Sequence, residues 1–338
     1  MKKKILYIIS HPIQYQSPLI RALNKSKKIS LDVMYESNLS TKKYFDYEMN
    51  KKIKFDVDLL SGYNYDFASH NGKVSFFKNL KKFIYLIFKK KYDYIWLHGY
   101  DNLSKIFIIF ISKIFFYKIL IRGESSHYSL TNKKNRIFVK KIFFYFLNIF
   151  TNYFLPIGKS NYKFYKIMNI KDQKLKMLSY VVDNSFFQKQ VKKKEKKRKL
   201  VFLYASKLIK RKNPELLIKS YIDLPSSLKN KSELLIVGDG ILKKDLIKKY
   251  KNENIIFKGF VNQNKLSYYY NNCDIFILPS EDENWGLVIN EVMNFKKPIL
   301  SSSVVGCNLD LVKNNLNGII FKNNNKNDLV KKLKSCFN

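Results

Sequence analysis

The chain has 338 residues, 46% hydrophobic and 27% charged, which excludes a disordered tail and is enough for two domains of about 150 residues each. Its 64 Lys and Arg outnumber its 26 Asp and Glu and give a formal net charge of +38. Only five of the basic residues are arginine, which contacts phosphates and base edges best, and the abundant Lys, Asn, Ile, Phe and Tyr all have A- and T-rich codons. We therefore expect no nucleic-acid partner, whereas attraction to an anionic membrane surface follows from the charge itself.

The cysteines and the N-terminal segment indicate in which cellular compartment the protein is expected. Cys273, Cys307 and Cys336 are odd in number and far apart, so they predict neither a disulfide framework nor a metal cluster and fit a reducing cytoplasm. The N-terminal MKKKILYIISHP begins with lysines like a signal peptide, but its apolar run is short and no small-residue cleavage site follows. A buried first strand is the better interpretation.

Short apolar strands alternate with helical stretches along the chain. In the first half we predict strands at residues 4–10, 29–35, 94–98, 118–122 and 154–157, with a helix at 17–27. After the basic stretch 190–199 the pattern restarts, with strands at 200–206, 233–237, 255–260, 274–279 and 298–303 and helices at 214–222, 242–251, 264–271 and 287–295. This alternation predicts an α/β protein with parallel sheets covered on both faces, in two Rossmann-like domains at 1–190 and 191–338 joined by a linker near residue 195.

Two apolar stretches, at residues 102–121 and 133–154, could contact a membrane. Lysines interrupt both, so neither has the ~20 consecutive apolar residues that a spanning helix needs. Two interpretations stay open: helices packed on the first sheet, or a basic aromatic surface lying on anionic lipid. Both can hold for different faces of one helix.

The segment LYASKLIKRKNPELLIKSY places cations at a strand end. Lys207 follows the strand, and Lys212 comes five residues later, before a helix that Pro214 can open. Open α/β sheets bind ligands beyond the carboxyl ends of their strands, and two cations beside a helix N-terminus suit a diphosphate. Farther along, Gly238, Asp239 and Gly240 predict a tight turn with glycines at positive φ, which is a structural role.

The segment ILPSEDENWGLVINEVMNFKKPIL carries the strongest signal, an acidic loop between a strand and a helix. If the helix begins near Leu287, Glu291 lies one turn along it, where a carboxylate can accept two hydrogen bonds from a vicinal diol such as a ribose. Glu283 lies in the loop, where sugar hydroxyls could meet the free N–H groups of Trp285, Gly286 and Leu287. The alternative is acidity at a helix start plus an ordinary surface glutamate.

Together these segments resemble glycosyltransferase family 4, retaining enzymes with the two-Rossmann GT-B fold. The second domain of that family carries a G-R-L-x-x-x-K segment, a G-x-G-P-like turn, and two glutamates eight positions apart in the setting P-S-x-x-E-G-F-G. Lys207 occupies the position where the family has Arg. Asn284 and Trp285 occupy the positions where the family has Gly and Phe. The matching residues are Ser206, Lys207, Leu208, Lys212, Pro279, Ser280, Glu283, Asn284, Trp285, Gly286 and Glu291, followed by Asn317 and Gly318.

The resemblance implies two domains facing across a cleft, an N-terminal one for the acceptor and a C-terminal one for the nucleotide sugar. It implies that Lys207 and Lys212 bind the donor diphosphate, that Glu291 binds the ribose, and that Glu283 and the backbone from Asn284 to Leu287 hold the sugar. It further implies retaining, metal-independent transfer without a cofactor, from a nucleotide-diphosphate sugar to a bacterial surface glycan or lipid-linked acceptor. The expected location is the cytoplasmic face of the cell membrane, with an anionic membrane surface as a partner.

The first domain matches the family less closely. Its SHPIQYQSPLIRAL segment, which resembles that of some bacterial members, supplies His11 and Gln14 after the first strand, and His98 ends another strand. IRGESSHYS adds Arg122, Glu124 and His127, and the resemblance places a sugar-contacting histidine near this position. His127 is therefore a catalytic candidate beside Glu283, Lys207 and Lys212, although spacing leaves the choice among the histidines open. The resemblance implies that the two lysines also stabilise the diphosphate as the leaving group.

Other interpretations stay in view. Asp56 and Asp58 form a D-x-D pattern, a metal-binding motif of a different glycosyltransferase fold, but a two-letter pattern arises readily by chance and we predict no metal site. The family usually continues with further helices beyond the position of Asn338, so we expect a C-terminus that is short for the family. A peripheral membrane protein, a nucleic-acid-binding protein and an inverting enzyme with a first-domain general base are the competing hypotheses.

Overall fold

The computed structural model of the chain describes residues 2–130, 134–191, 199–251 and 254–337. The chain divides into two compact units, the first made of Met1–Tyr44 and Val57–Val181 and the second of Phe45–Asp56 and Val182–Asn338. This division differs from the predicted boundary of 190/191, and the predicted linker near residue 195 lies outside the described residues. The place of Phe45–Asp56 in the second unit was not expected from the sequence.

Strands and helices alternate along the amino-terminal half. In chain order the described elements are β1 (Lys3–Ile9), α1 (Gln16–Asn24), β2 (Ile29–Tyr35), β3 (Tyr44–Asp46), β4 (Lys51–Ile53), β5 (Asn64–Phe67), α2 (Phe76–Lys89), β6 (Tyr94–His98), α3 (Leu103–Ile114), β7 (Lys118–Arg122), α4 (Lys134–Phe150), β8 (Tyr153–Phe154) and α5 (Lys159–Ile167).

These strands form one parallel sheet in the order β5-β2-β1-β6-β7-β8, while β3 and β4 pair with each other. The order reverses between β1 and β6, since the chain builds one side of the sheet through β2 and β5 and then the other through β7 and β8. One face of the sheet is covered by α2, α3 and α4 through residues such as Phe83, Ile108 and Phe144. On the other face Ile20 of α1 packs against a layer in which Tyr7 and Trp96 stack with centroids 3.8 Å apart.

The carboxyl-terminal half repeats the alternation. Its described elements are α6 (Asn184–Gln188), β9 (Leu200–Ala205), α7 (Pro214–Ile222), α8 (Ser226–Lys229), β10 (Ser232–Val237), α9 (Lys243–Lys249), β11 (Ile255–Gly259), α10 (Gln263–Asn272), β12 (Ile275–Leu278), α11 (Leu287–Met293), β13 (Ile299–Ser302), α12 (Asn308–Leu311), β14 (Gly318–Phe321) and α13 (Lys326–Ser335).

The second sheet is also parallel, in the order β11-β10-β9-β12-β13-β14, and it reverses between β9 and β12. Its central strands are apolar throughout because both faces are covered. Pro214 begins α7, as predicted, after Asn213 takes a left-handed φ of 49°.

The sequence predicted most central strands correctly, with observed bounds equal to the predicted ones for β2, β6 and β7. The strand predicted at 154–157 is present as β8, but its predicted bounds are wrong, because β8 ends at Phe154, two residues before Pro156, which has no N–H to donate to a ladder. Strands β3, β4 and β5 were not predicted, since their short polar sequences carry no apolar run.

Candidate functional site

The reversal point of the second sheet positions the predicted donor loops. The loop after β9 carries Lys207 and Lys212, and the loop after β12 carries Glu283. Because β9 and β12 are hydrogen-bonded neighbours, their carboxyl ends bring the two loops together at the place where open α/β sheets bind ligands.

Lys212 and Glu283 form an ion pair between these loops. The Nζ atom of Lys212 donates to Oε2 of Glu283, and the Ser280 hydroxyl donates to the same oxygen over 3.5 Å. The two charged side chains are 13% and 11% exposed, so the pair is largely shielded from water. The sequence assigned Lys212 to phosphate and Glu283 to sugar without predicting that they contact each other.

Lys207 binds two carboxylates from the hairpin β3–β4. Its Nζ atom lies 2.8 Å from Oδ2 of Asp46 and 2.7 Å from Oε2 of Glu48, and Arg211 lies 3.4 Å from the other oxygen of Glu48. Burial alone would raise the pKa of Asp46, but hydrogen bonds from Lys207 and from the N–H of Met49 outweigh it and lower the pKa. Burial of Glu48 is likewise outweighed by Lys207 and Arg211, so its pKa is also lowered and both carboxylates are ionised at neutral pH.

The glycine turn lies against the first of these loops. Gly238 has a φ of 142°, and a Cβ there would clash with the carbonyl oxygen of Ser206. The predicted positive φ is wrong for Gly240, where glycine is required because a Cβ would overlap the backbone of Leu208. The structural role predicted for the turn therefore rests mainly on close backbone approach.

A second close approach shapes the acidic loop. The carbonyl oxygens of Glu283 and Trp285 accept hydrogen bonds of 3.0 and 2.9 Å from the N–H groups of Gly306 and Cys307. A Cβ at Gly306 would clash with the carbonyl oxygen of Asn284, so only glycine fits beside this loop. No role was predicted for Gly306, because a lone glycine after a strand offers little signal.

Gly286 and Trp285 fix the start of α11. Gly286 has a left-handed φ of 97° and precedes Leu287, the first residue of the helix, as predicted. Trp285 is buried, and its indole N–H donates to Oδ1 of Asn290 over 2.9 Å. Hydrogen bonds thus tie the loop backbone at Glu283 and Trp285 and the Trp285 side chain to α11.

Glu291 lies one turn along α11, as predicted, and its side chain is buried. The hydroxyl of Tyr270 on α10 donates to Oε2 of Glu291 over 2.7 Å. Burial raises the pKa of Glu291 to about 7, although the Tyr270 hydrogen bond acts to lower it. A carboxylate that titrates near neutral pH in a buried position is typical of a functional group rather than of a surface glutamate.

The first unit has a polar cluster at its own reversal point. The ring of His98 at the end of β6 lies between the hydroxyl of Tyr7, 2.8 Å from Nδ1, and Oε1 of Glu124, 3.0 Å from Nε2. The Tyr180 hydroxyl also donates to Glu124, and the guanidinium of Arg122 lies 4.5 Å from the Tyr180 ring. Burial lowers the pKa of His98, and the hydrogen bond and charge of Glu124 offset this only in part.

The other predicted first-domain residues lie outside this hydrogen-bonded cluster. Nδ1 of His127 lies 3.0 Å from the Ser160 hydroxyl, and burial lowers the pKa of His127. His11 is hydrogen-bonded to the neighbouring Ser10 over 3.0 Å. Within the part of the chain that the structure describes, His98 is the histidine that is hydrogen-bonded to a carboxylate.

The described residues include no group of three or more His, Cys, Asp or Glu arranged to hold a metal ion. The two aspartates of the D-x-D pattern have separate structural contacts. Asp58 accepts from the N–H groups of Leu60 and Ser61 in a turn, and Asp56 accepts from the N–H of Asn264 over 3.3 Å.

The outer face of α2, α3 and α4 is apolar and basic. These three helices contain no acidic residue, and the face exposes Phe77, Phe88, Leu103, Phe107, Phe110, Ile114, Phe138, Val139, Ile142, Tyr145, Phe146 and Ile149. Their inner residues pack on the first sheet, which confirms the packing interpretation of both apolar stretches. Over the part of the chain that the structure describes, none of the helices is long and apolar enough to cross a membrane.

Comparison with known proteins finds a family match in the carboxyl-terminal half of the chain. Residues 185–338 match the family described as Glycosyl transferases group 1, and this stretch lies within the second unit. Sulfoquinovosyl transferase SQD2 of Arabidopsis thaliana is 31% identical over 123 residues, which are 35% of this chain and 23% of SQD2. The N,N'-diacetylbacillosaminyl-diphospho-undecaprenol alpha-1,3-N-acetylgalactosaminyltransferase of Campylobacter jejuni is 24% identical over 204 residues, 54% of this chain and 50% of that protein. The chain thus matches half or less of the length of these two relatives.

Among solved structures, Anabaena Alr3699/HepE in complex with UDP and glucose is similar with a TM-score of 0.71. The match covers 99% of this chain and 90% of that chain at 14% identity. At this identity the likeness shows the fold alone, and it confirms the predicted class of two Rossmann-like GT-B domains.

Proposed function

We propose that the chain is a glycosyltransferase that moves a sugar from a nucleotide-diphosphate sugar to a hydroxyl of a glycan or lipid-linked glycan. The observation that carries this proposal is the meeting of Lys212 and Glu283 at the reversal point of the second sheet. It lies within the residues matched to Glycosyl transferases group 1, beside a buried glutamate on α11.

The donor takes its contacts from three places in the second unit. Lys207 and Lys212 bind the diphosphate, and Glu291 accepts hydrogen bonds from the two ribose hydroxyls. Glu283 and the backbone from Asn284 to Leu287 hold the transferred sugar. The rigid hydrogen bonding of this loop to Gly306 and Cys307 supports its use as a preformed binding edge.

The reaction breaks the bond between the anomeric carbon and the diphosphate oxygen and forms a bond from that carbon to the acceptor oxygen. The acceptor proton passes to the departing diphosphate, so the products are a glycoside and a nucleoside diphosphate. Lys207 and Lys212 balance the charge that develops on the leaving oxygen in place of a metal. Retention of the anomeric configuration follows from the resemblance to family 4.

We place the acceptor on the first unit, at the cluster around Glu124. Its carboxylate is the partly exposed member of the cluster, whereas His98 is nearly buried and fixes its orientation. A carboxylate held in this way can accept a hydrogen bond from an acceptor hydroxyl. His127, the candidate named from the sequence, remains a proposed sugar contact on the neighbouring loop.

A lipid-linked acceptor fits the outer face of α2, α3 and α4. That face presents aromatic and aliphatic side chains among lysines without an acidic residue, which suits an anionic lipid surface. The name of the Campylobacter jejuni relative includes diphospho-undecaprenol, a lipid of this kind. We propose that the protein works at the inner face of the cell membrane without a nucleic-acid partner.

The test is a panel of UDP-, GDP- and ADP-sugars incubated with the whole chain in EDTA, with release of nucleoside diphosphate as the readout. We expect one donor to react, and Glu291→Ala to lower kcat/KM at least about tenfold while Asp282→Ala, an exposed acid in the same loop, leaves it unchanged. No reactive donor, or equal rates for wild type and Glu291→Ala, would overturn the donor site.

The acceptor side needs its own readout. With the active donor and a short-chain lipid-diphosphate-linked sugar, we expect Glu124→Gln to raise KM for the acceptor and to leave nucleotide affinity unchanged. NMR of the new glycosidic linkage decides the stereochemistry, and an inverted anomer would contradict the retaining mechanism and favour a base in the first unit.

A further inference from the structure

The segment Phe45–Asp56 is a strap, by which we mean that it lies in the second unit while the chain on both sides of it lies in the first. It consists of the hairpin β3–β4 and the residues that follow it. None of its sequence features pointed to this position.

Polar contacts fasten the strap along its length. Nζ of Lys51 lies 3.1 Å from Oδ2 of Asp239, in the glycine turn, and 5.1 Å from the centroid of the Phe260 ring. The N–H of Ile241 donates to the carbonyl oxygen of Glu48 over 3.2 Å. The strap is therefore seated on the loops that surround the proposed donor site.

The acidic residues of the strap engage Lys207, one of the two lysines proposed to bind the diphosphate, and the neighbouring Arg211. Asp46 and Glu48 place two carboxylate oxygens 2.8 and 2.7 Å from Nζ of Lys207, and Glu48 also pairs with Arg211. A diphosphate bound to Lys207 would offer the same chemistry, two anionic oxygens at hydrogen-bond distance. Two ionised carboxylates and a diphosphate on one ammonium group repel each other, so they compete for it.

The two carboxylates differ in how firmly they are held. Asp46 is 11% exposed and its second oxygen accepts the N–H of Met49 over 2.9 Å, which ties it to the hairpin turn. Glu48 is 44% exposed, so its side chain can swing into water at small cost. Of the two carboxylates, Glu48 is therefore the easier one to displace from Lys207, because Asp46 is also tied to the hairpin turn.

We propose that the acidic strap is an intramolecular competitor of the donor, which occupies Lys207 and Arg211 until a nucleoside diphosphate displaces it. This inference rests on the proposed function, because it takes Lys207 as the diphosphate ligand. Because the strap must be displaced first, the protein binds its donor more weakly than it would if Lys207 and Arg211 were not paired with Asp46 and Glu48.

The test is isothermal titration of the full chain with UDP, GDP, ADP and inorganic pyrophosphate. The variant Asp46→Asn/Glu48→Gln is compared with Asp56→Asn/Asp58→Asn, which removes the same charge from two nearby positions. Among the described residues, those two carboxylates accept hydrogen bonds from backbone N–H groups. We expect the first variant to bind the preferred nucleotide about tenfold more tightly than wild type, and the second to change affinity less than about twofold. Glu48→Gln alone serves if the double variant fails to fold, with an expected gain of about threefold.

The outcomes separate this inference from the proposed function. If wild type binds a nucleotide and the two double variants bind it equally well, the strap is no competitor and the donor site stands. Weaker binding by Asp46→Asn/Glu48→Gln would show that the carboxylates position Lys207 for the donor, which also overturns the competition. If no protein in the set binds any of the four ligands, both the donor-site assignment and the proposed competition by the strap are wrong. Amide hydrogen exchange supplies a direct check, since the competition predicts faster exchange in β3 and β4 when nucleotide is added.

Discussion

The hydroxyl of Tyr270 donates a 2.7 Å hydrogen bond to Oε2 of Glu291, and it does so inside the second unit, where both side chains are buried. Burial raises the pKa of this carboxyl to about 7, so near neutral pH it is divided between its protonated and ionised forms. The hydrogen bond fixes the position of the carboxylate that we propose as the ligand of the ribose diol. This relationship gives the site a dependence on pH.

We expect the free energy of unfolding to depend on pH through Glu291. Because the pKa of Glu291 is higher in the folded chain than its ordinary value of 4.5, the folded state keeps a proton that the unfolded state releases. The free energy of unfolding therefore falls as pH rises from about 4.5 to about 7, by up to about 3 kcal/mol from this group. Urea unfolding at pH 5 and pH 7.5 measures it, and Glu291→Gln should lose this part of the pH dependence. The same pH dependence in both proteins would show that Glu291 is ionised throughout.

Gly306 gives a test of the acidic loop that involves no charge. A methyl group at this position would clash with the carbonyl oxygen of Asn284, so Gly306→Ala must push the loop away from the loop that follows β13. We expect a loss of more than about 2 kcal/mol in the free energy of unfolding, together with loss of nucleotide binding. Thermal unfolding and titration with nucleotide measure the two effects. Normal stability with normal binding would show that the loop tolerates displacement.

Lys212 can be compared with a close neighbour. Lys212→Met removes the cation that contacts Glu283, whereas Lys210→Met removes an exposed cation two residues away. We expect kcat/KM to fall about 100-fold or more for Lys212→Met and less than about twofold for Lys210→Met. The paired variant Lys212→Met/Glu283→Gln leaves no buried charge without a partner and controls for misfolding. Equal losses for the two single variants would show that Lys212 acts only through the general positive charge of the region and makes no specific contact with the donor.

The outer face of α2, α3 and α4 predicts binding to lipid. The variant Phe138→Ser/Phe146→Ser removes two exposed aromatic side chains from this face, and Tyr47→Ser/Leu316→Ser removes two exposed apolar side chains elsewhere. Cosedimentation with vesicles of phosphatidylcholine containing about one third phosphatidylglycerol should fall about tenfold for the first variant and little for the second. Equally strong binding to vesicles of phosphatidylcholine alone would show that the lysines of this face do not contribute to lipid binding.

The sequence predicted those parts of the fold and the site that depend on local pattern. Continuous apolar strands, Pro214 at a helix start and the spacing from Glu283 to Glu291 are local features, and the structure shows each of them in place. Asp46 and Lys207 are 161 positions apart, and no periodic pattern in the sequence relates them, so their contact could not be predicted from the sequence. The need for glycine at Gly306 depends in the same way on a carbonyl group supplied by a distant loop.

Charge shows the same limit. The formal charge of +38 identifies no site, because lysine occurs throughout the chain. The structure distinguishes Lys207 and Lys212 from the other lysines by their position at the reversal point and by the carboxylates that they engage. Position in the fold, rather than net charge, carries the functional inference.

The most direct measurement is a crystal structure of the full chain with the nucleoside diphosphate that the donor panel selects. The proposed site predicts diphosphate oxygens within about 3 Å of Nζ of Lys207 and Lys212, ribose hydroxyls on the carboxylate of Glu291, and Glu48 turned away from Lys207. A nucleotide bound elsewhere, or one whose ribose lies beyond hydrogen-bond reach of Glu291, would contradict the assignment of this site.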